Sequence, residues 1–408
     1  MQQAWRWFGP RDPIPLDYIR QAGASHIVTS LHDIPTGKAW SDDAIRQRKE
    51  VIEGENSNKP ALLWTVVESI NVHDDIKRAA PGHQKYIDNY CETIRSLGRN
   101  GITTVCYNFM PLIDWTRTDL SFPLANGATC LRFDAELFAA FDLFLLKRKN
   151  AEANYTEIEI DQAKYRFNYL SASEQESLIK TVLSGLPGGT TGGHSLDSFR
   201  LALATYQDID TDQLRENLFS FLSQIIPVAE EAGVFLAIHP DDPPRQLLGL
   251  PRILCNESDI KLLLETQSSP HNGLTLCAGT YGVNATNDVP SLTEKFADRI
   301  YFAHLRGTRR ETNPLSFQEA DHLDSDVDML QIISLLLKEE RRREHLPLAL
   351  QEIPIRPDHG FAMLDDIAKS STNPGYTAIG RLKGLAEIRG VIKAMEYTRR
   401  QEKETIFS

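Results

Sequence analysis

His239, Cys277, His304 and Asp358 are the side chains of this sequence best suited to hold one divalent transition metal. Two imidazoles, a thiolate and a carboxylate make a mixed nitrogen, sulfur and oxygen donor set of the kind such ions take. Each stands at or just beyond the end of a short apolar run. His239 follows Gly233-Val-Phe-Leu-Ala-Ile238 and opens the proline-stiffened stretch His239-Pro-Asp-Asp-Pro-Pro244. Cys277 ends Gly273-Leu-Thr-Leu-Cys277, and His304 ends Ile300-Tyr-Phe-Ala-His304. Asp358 lies in Pro354-Ile-Arg-Pro-Asp-His-Gly360, after the run Leu348–Ile353. A cysteine ending a buried strand is, by itself, more often a small core residue than a ligand. Four metal-binding side chains at successive strand ends are much harder to explain as packing.

A second group of polar residues falls near the same ends. His359 and Tyr376 suit acid–base steps, and Arg6, Arg306, Arg356 and Arg381 could grip a carboxylate through paired donors. His32, Glu68 and Asn108 end earlier apolar runs and could hold hydroxyls. Arginines also brace loops, so their types alone do not separate binding from support. A metal, cationic anchors and hydroxyl binders together suit a small polyhydroxy acid or sugar. A divalent ion can stabilise the enolate formed by removing the proton beside a carboxylate. The same residue types serve dehydration, aldose–ketose isomerisation and metal-assisted hydrolysis alike.

Such residues need a scaffold that brings strand ends to one place. Short apolar runs alternate with longer amphipathic stretches, the pattern of repeated βα units. Strands are expected at Ser25–Leu31, Ala61–Val67, Ile102–Asn108, Val234–Ile238, Gly273–Cys277, Ile300–His304, Leu348–Ile353 and Thr377–Gly380. Eight such signals predict an α/β (β/α)8 barrel, whose active site lies at the carboxyl ends of the strands. No glycine-rich dinucleotide fingerprint follows the first run, which disfavours an open doubly wound sheet. From 115 to 210 the rhythm breaks into helical segments, giving a helical insertion after strand 3 within a single domain spanning 1–408. Gly185–Gly193 reads as a flexible connection.

The formal net charge of -12 over 408 residues argues against a nucleic-acid partner. No run approaches a membrane span, and the start Met1-Gln-Gln-Ala-Trp-Arg-Trp7 is unlike a signal peptide, so a cytoplasmic location is expected. The five scattered cysteines form no disulfide framework.

Long motifs then carry a resemblance. Trp5-Arg-Trp-Phe-Gly-Pro10, Thr104-Val-Cys-Tyr-Asn-Phe-Met-Pro111, Asp114-Trp-Thr-Arg-Thr-Asp119, His239–Pro244, Phe302-Ala-His-Leu-Arg306, Arg356-Pro-Asp-His-Gly360 and Asn373–Gly384 make the chain similar, nearly end to end, to the iron- or manganese-dependent mannonate dehydratase family. That resemblance implies a TIM barrel of the xylose-isomerase-like type and dehydration of D-mannonate to 2-dehydro-3-deoxy-D-gluconate in hexuronate (glucuronate) breakdown. It implies Mn2+ or Fe2+ as cofactor, held by His239, Cys277, His304 and Asp358, with His359 and Tyr376 near the reacting carbons. The expected partners are the small-molecule substrate and a second copy in a homodimer. The sequence departs from the family at Asp33 and Phe361, where histidines are usual. The rival readings are a sugar-acid isomerase or epimerase on the same barrel, and a metal-stabilised binding protein without turnover.

Overall fold

The computed structural model describes residues 1–54, 59–185, 195–369 and 371–407. Eight parallel strands close into a barrel: β1 (Gln2–Arg6), β2 (His26–Thr29), β3 (Leu63–Glu68), β4 (Thr104–Tyr107), β7 (Phe235–Ile238), β8 (Asn272–Cys277), β9 (Ile300–His304) and β12 (Pro354–Arg356). The barrel closes where β1 pairs with β12 on one side and β2 on the other. Four further strands, β5 (Asp119–Pro123), β6 (Thr129–Phe133), β10 (Thr308–Arg310) and β11 (Phe317–Glu319), form a separate antiparallel sheet in the order β10-β11-β6-β5.

The barrel strands are apolar because both their faces are covered. Alternate residues serve the two sides. Ala4, Val28, Val66, Cys106 and Phe302 form an interior cluster, whereas Trp5, Ile27, Val67, Val105 and Ala303 join the larger core against the surrounding helices. Each large side chain buried there contributes about 1.5–3 kcal/mol. Among the described residues no helix is long and apolar enough to cross a membrane.

Several sequence expectations are corrected in detail. Gln2–Arg6 is the first barrel strand, so the run expected as strand 1 supplies β2 and that expected as strand 3 supplies β4. β1 escapes notice because its apolar face is short and it ends in a buried arginine. Leu348–Gln351 forms a helical turn, and the strand begins only at Pro354, a place where the missing N–H of proline is tolerated. Thr377–Gly380 is no strand, since the terminal helix Ala378–Phe407 begins there.

The excursion between β4 and β7 is not purely helical. It opens with the β5–β6 hairpin, turned at Gly127 with φ of +85°. Helices Ala135–Ala140, Glu157–Tyr169, Ala172–Ser184 and Leu196–Ala204 follow, before Thr211–Ala232 returns the chain to the barrel. Of the glycine-rich run, Gly185 ends a helix and 186–194 lie outside the described residues. Phe133 of β6 pairs with Phe317 of β11, and Thr129 exchanges two 2.9 Å backbone hydrogen bonds with Ala362. The side sheet is thereby joined to the loop that carries Asp358 and His359.

Candidate active site

The register of the barrel brings the soft donors together. Cys277 and His304 are direct partners across β8 and β9, and His239 follows β7 next to them. One ligand atom from each of these three residues lies within 4.8 Å of the other two. Cys277 and His304 are fully buried. His239 Nδ1 lies 2.7 Å from the Pro240 carbonyl, which makes it the protonated nitrogen and leaves Nε2 as a lone-pair donor. Burial pushes the His239 pKa down, against the pull of Glu68, Asp242 and Asp358, so the ring stays neutral. Among the described residues His304 Nε2 has no hydrogen-bond partner, and it lies 3.5 Å from Glu68 Oε1. A buried thiol beside two imidazoles, one with an orphaned nitrogen, fits a divalent transition ion better than it fits a packed core.

Asp358 stands at the edge of this set. Its Oδ2 is 3.9 Å from Cys277 Sγ and 4.0 Å from His304 Nδ1, and its other oxygen pairs with Arg356. The residue sits in the left-handed region, φ +62°, a conformation uncommon for aspartate. Burial would raise its carboxyl, but Arg356, His359, His304 and Arg306 outweigh burial and hold it well below the usual range.

A small cavity opens over these groups, lined by Arg6, Glu68, Asn108, Trp115, His239, Asp242, Arg356, Asp358, His359 and Tyr376 among others. His359 and Tyr376 meet edge to face with ring centres 5.2 Å apart. Their backbones are tied together, since Gly360 N donates to Gly375 O at 2.8 Å and Gly360 bridges Tyr376. Burial raises the Tyr376 phenol to about 12 despite Arg6 and Arg356.

The predicted carboxylate anchors differ in what they have left to give. Arg6 reaches Glu68 at 2.7 Å, but its Nε has no partner, and it faces the rings of Phe8 and Tyr376. Arg356 lines the cavity while held by Glu68 and Asp358. Arg306 is not a cavity residue: it grips Glu319 with Nε and Nη2 (2.8 and 2.7 Å) and Asp242 with Nη1 (2.8 Å). Arg381 is likewise committed, donating to the carbonyls of Thr377, Arg6 and Tyr376 at 2.7–3.0 Å. Neither lines the cavity and both donate to protein acceptors, so both are corrected from substrate anchors to braces. His32 also falls outside the cavity lining, with its ring 5.7 Å from Phe8 and its Nε2 unpartnered. Asn108 lines the cavity.

Sequence reasoning missed a buried ionic group beside the donors. Arg117 donates to both oxygens of Asp242 (3.0 and 3.1 Å), and Asp242 also accepts from Arg306. The Thr280 hydroxyl lies 3.2 Å from Asp242 Oδ2 and 3.0 Å from Cys277 Sγ. Glu319, on β11, lies 3.1 Å from His359 Nδ1. Asp242 belongs to the His-Pro-Asp-Asp-Pro-Pro stretch and Arg117 to the Asp114–Asp119 motif, so both were open to notice, but no local pattern marks Glu319.

Comparison with known proteins identifies the family. The D-mannonate dehydratase (UxuA) family profile matches residues 1–402. A mannonate dehydratase of Chromohalobacter salexigens is 52% identical over 396 residues, covering 97% of this chain and 99% of that protein. One from Saccharophagus degradans is 48% identical over 401 residues, covering 98% and 99%. The crystal structure of mannonate dehydratase from Streptococcus suis serotype 2 superposes with a TM-score of 0.74 at 32% identity, covering 97% of this chain and 93% of that one. On the strength of these matches over nearly its whole length, the chain belongs to the D-mannonate dehydratase (UxuA) family of lyases.

Proposed function

We propose that this protein removes water from D-mannonate to give 2-dehydro-3-deoxy-D-gluconate, with His239, Cys277, His304 and Asp358 holding Mn2+ or Fe2+. The observation that carries this reading is the meeting of three soft donor atoms within 4.8 Å at adjacent strand ends, beside a cavity walled by His359 and Tyr376. When bound, the ion supplies Lewis acidity toward an α-hydroxy acid and toward the negative charge that builds on its enolate. Arg6, with donors to spare, holds the carboxylate, and Asn108 holds a hydroxyl. His359 and Tyr376 carry the two proton transfers: the proton on C2 is taken up, and the hydroxyl on C3 leaves as water with a proton supplied to it. The resulting enol becomes the 2-keto acid. Arg356 and Glu68 keep the wall rigid and its charge balanced.

The same reading treats 1–408 as one barrel domain, with the 115–210 excursion as its cover. It places the protein in the cytoplasm as a homodimer in hexuronate breakdown.

The test is to strip the protein of metal, restore Mn2+, Fe2+ or Zn2+ separately, and follow the 2-keto-3-deoxy acid from D-mannonate. Product that depends on added Mn2+ or Fe2+ is the expected result. Conversion of a sugar acid without loss of water would replace the reading with an isomerase or epimerase. Substrate binding without turnover under any metal would leave only a binding protein.

A further inference from the structure

We propose that Glu319 is a positioning residue that fixes His359 in the tautomer protonated at Nδ1, so that Nε2 presents its lone pair to the cavity. This rests on the assignment of proton transfer to His359. A carboxylate can only accept hydrogen bonds, so the 3.1 Å approach of His359 Nδ1 to Glu319 Oε1 requires the proton on Nδ1. The geometry of the imidazole ring then turns Nε2 away from Glu319.

The position of Glu319 is set by sheet pairing. Glu319 pairs with Thr308 of β10, and its neighbour Gln318 pairs with Arg132 of β6. Arg306 clamps both carboxylate oxygens, at 2.8 and 2.7 Å, and that leaves Oε1 to serve His359 as well. Burial works to raise the Glu319 carboxyl, but Arg306 and His359 outweigh it and hold it at about 2. Tyr376 and Trp115 stand edge-on to the His359 ring, at 5.2 and 5.9 Å between centres, and restrict its rotation. Tautomer and orientation are therefore set from different sides of one ring.

Glu319→Gln places an amide where the carboxylate stood, and the amide N–H₂ can donate to Nδ1 and select the other tautomer. With D-mannonate and the Mn2+-loaded protein, kcat is expected to fall by about 10²- to 10⁴-fold, as for other buried carboxylates behind a catalytic histidine. KM and metal stoichiometry should stay at parental values. An unchanged kcat, or a loss of metal in step with kcat, overturns the proposal. A second measurement reads the tautomer in the parent protein. In Zn2+-loaded protein with ¹⁵N-labelled histidine, the His359 signals, assigned by their loss in His359→Gln, should show the Nδ1–H tautomer. An Nε2–H pattern in the parent overturns the proposal. If His359→Gln itself keeps parental kcat, the role given to His359 fails first. If that variant is inactive while Glu319→Gln is not, only the present proposal fails.

Discussion

The carboxyl end of the barrel lines the cavity and the four-stranded sheet beside it backs that wall, and the two place their side chains by different routes. The barrel does so by register, with Cys277 opposite His304 on neighbouring parallel strands. The sheet does so by pairing two hairpins from distant parts of the chain, β5–β6 and β10–β11. Their side chains also end in different states. At the barrel end, His304 Nε2 and Arg6 Nε lack partners. Against the sheet, Arg306 spans Glu319 and Asp242, and Arg117 grips Asp242 with two nitrogens. Arg6 lines the cavity, whereas Arg306 and Arg117 lie behind it and brace its wall through Asp242. The difference between Arg6 and Arg306 is one of remaining donors, not of residue type.

The sharpest break of that contrast is Cys277→Ala. It should abolish stoichiometric metal binding and lower kcat by at least ~10³-fold, since a bound ion supplies several kcal/mol of transition-state stabilisation. Metal analysis and turnover on the purified variant check it, and full metal content with full activity would end the four-ligand account. Next comes the sheet side. Arg117→Met leaves Asp242 buried with one partner fewer, and should cost about 3–5 kcal/mol of stability in chemical denaturation. A cost within ~0.5 kcal/mol, the usual range of a surface change, would show that the buried Asp242 does not depend on Arg117. The smallest effect is expected at Gly375, which joins the two regions. Its φ is +79°, and an added Cβ would lie 2.7 Å from Leu131 Cδ1 and 3.1 Å from His359 Cδ2. Gly375→Ala should cost about 1–2 kcal/mol for the left-handed backbone alone. It should also lower kcat while KM stays near parental, because the displaced group is His359. Equal kcat in the folded variant would mean that the ring tolerates the push.

The same division governs what could be read from the sequence. The donors at β7, β8 and β9 are legible because a buried parallel strand is an apolar run whose last residue points to the active-site end. β1 is less so, since Gln2–Arg6 alternates over only five residues. Leu348–Gln351 is apolar enough for a strand, but Pro347 and the exposure of Leu348 mark a helical turn outside the barrel. The β5–β6 hairpin did carry a signal, the pair Asn126-Gly127 between two short runs. Glu319 carried none. Its meaning comes from the pairing of β11 with β6, which no local spacing encodes. Nor could the sequence separate Arg306 and Arg381 from Arg6, because their acceptors come from other segments.

The closure of β1 against β12 has a consequence for the order in which the molecule can be made. β1 comes before every other strand in the chain and β12 after them, so a growing chain holds β1 with one edge unpaired until β12 emerges. Arg6 at the end of β1, Glu68 at the end of β3 and Arg356 at the end of β12 form one ionic group. Arg381 then ties the terminal helix back to the Arg6 carbonyl. Such distant pairing is slow to form. The closed barrel wall is therefore among the last parts of the protein to exist, and a partly synthesised chain carries His239, Cys277 and His304 before it carries Asp358 or the cavity above them.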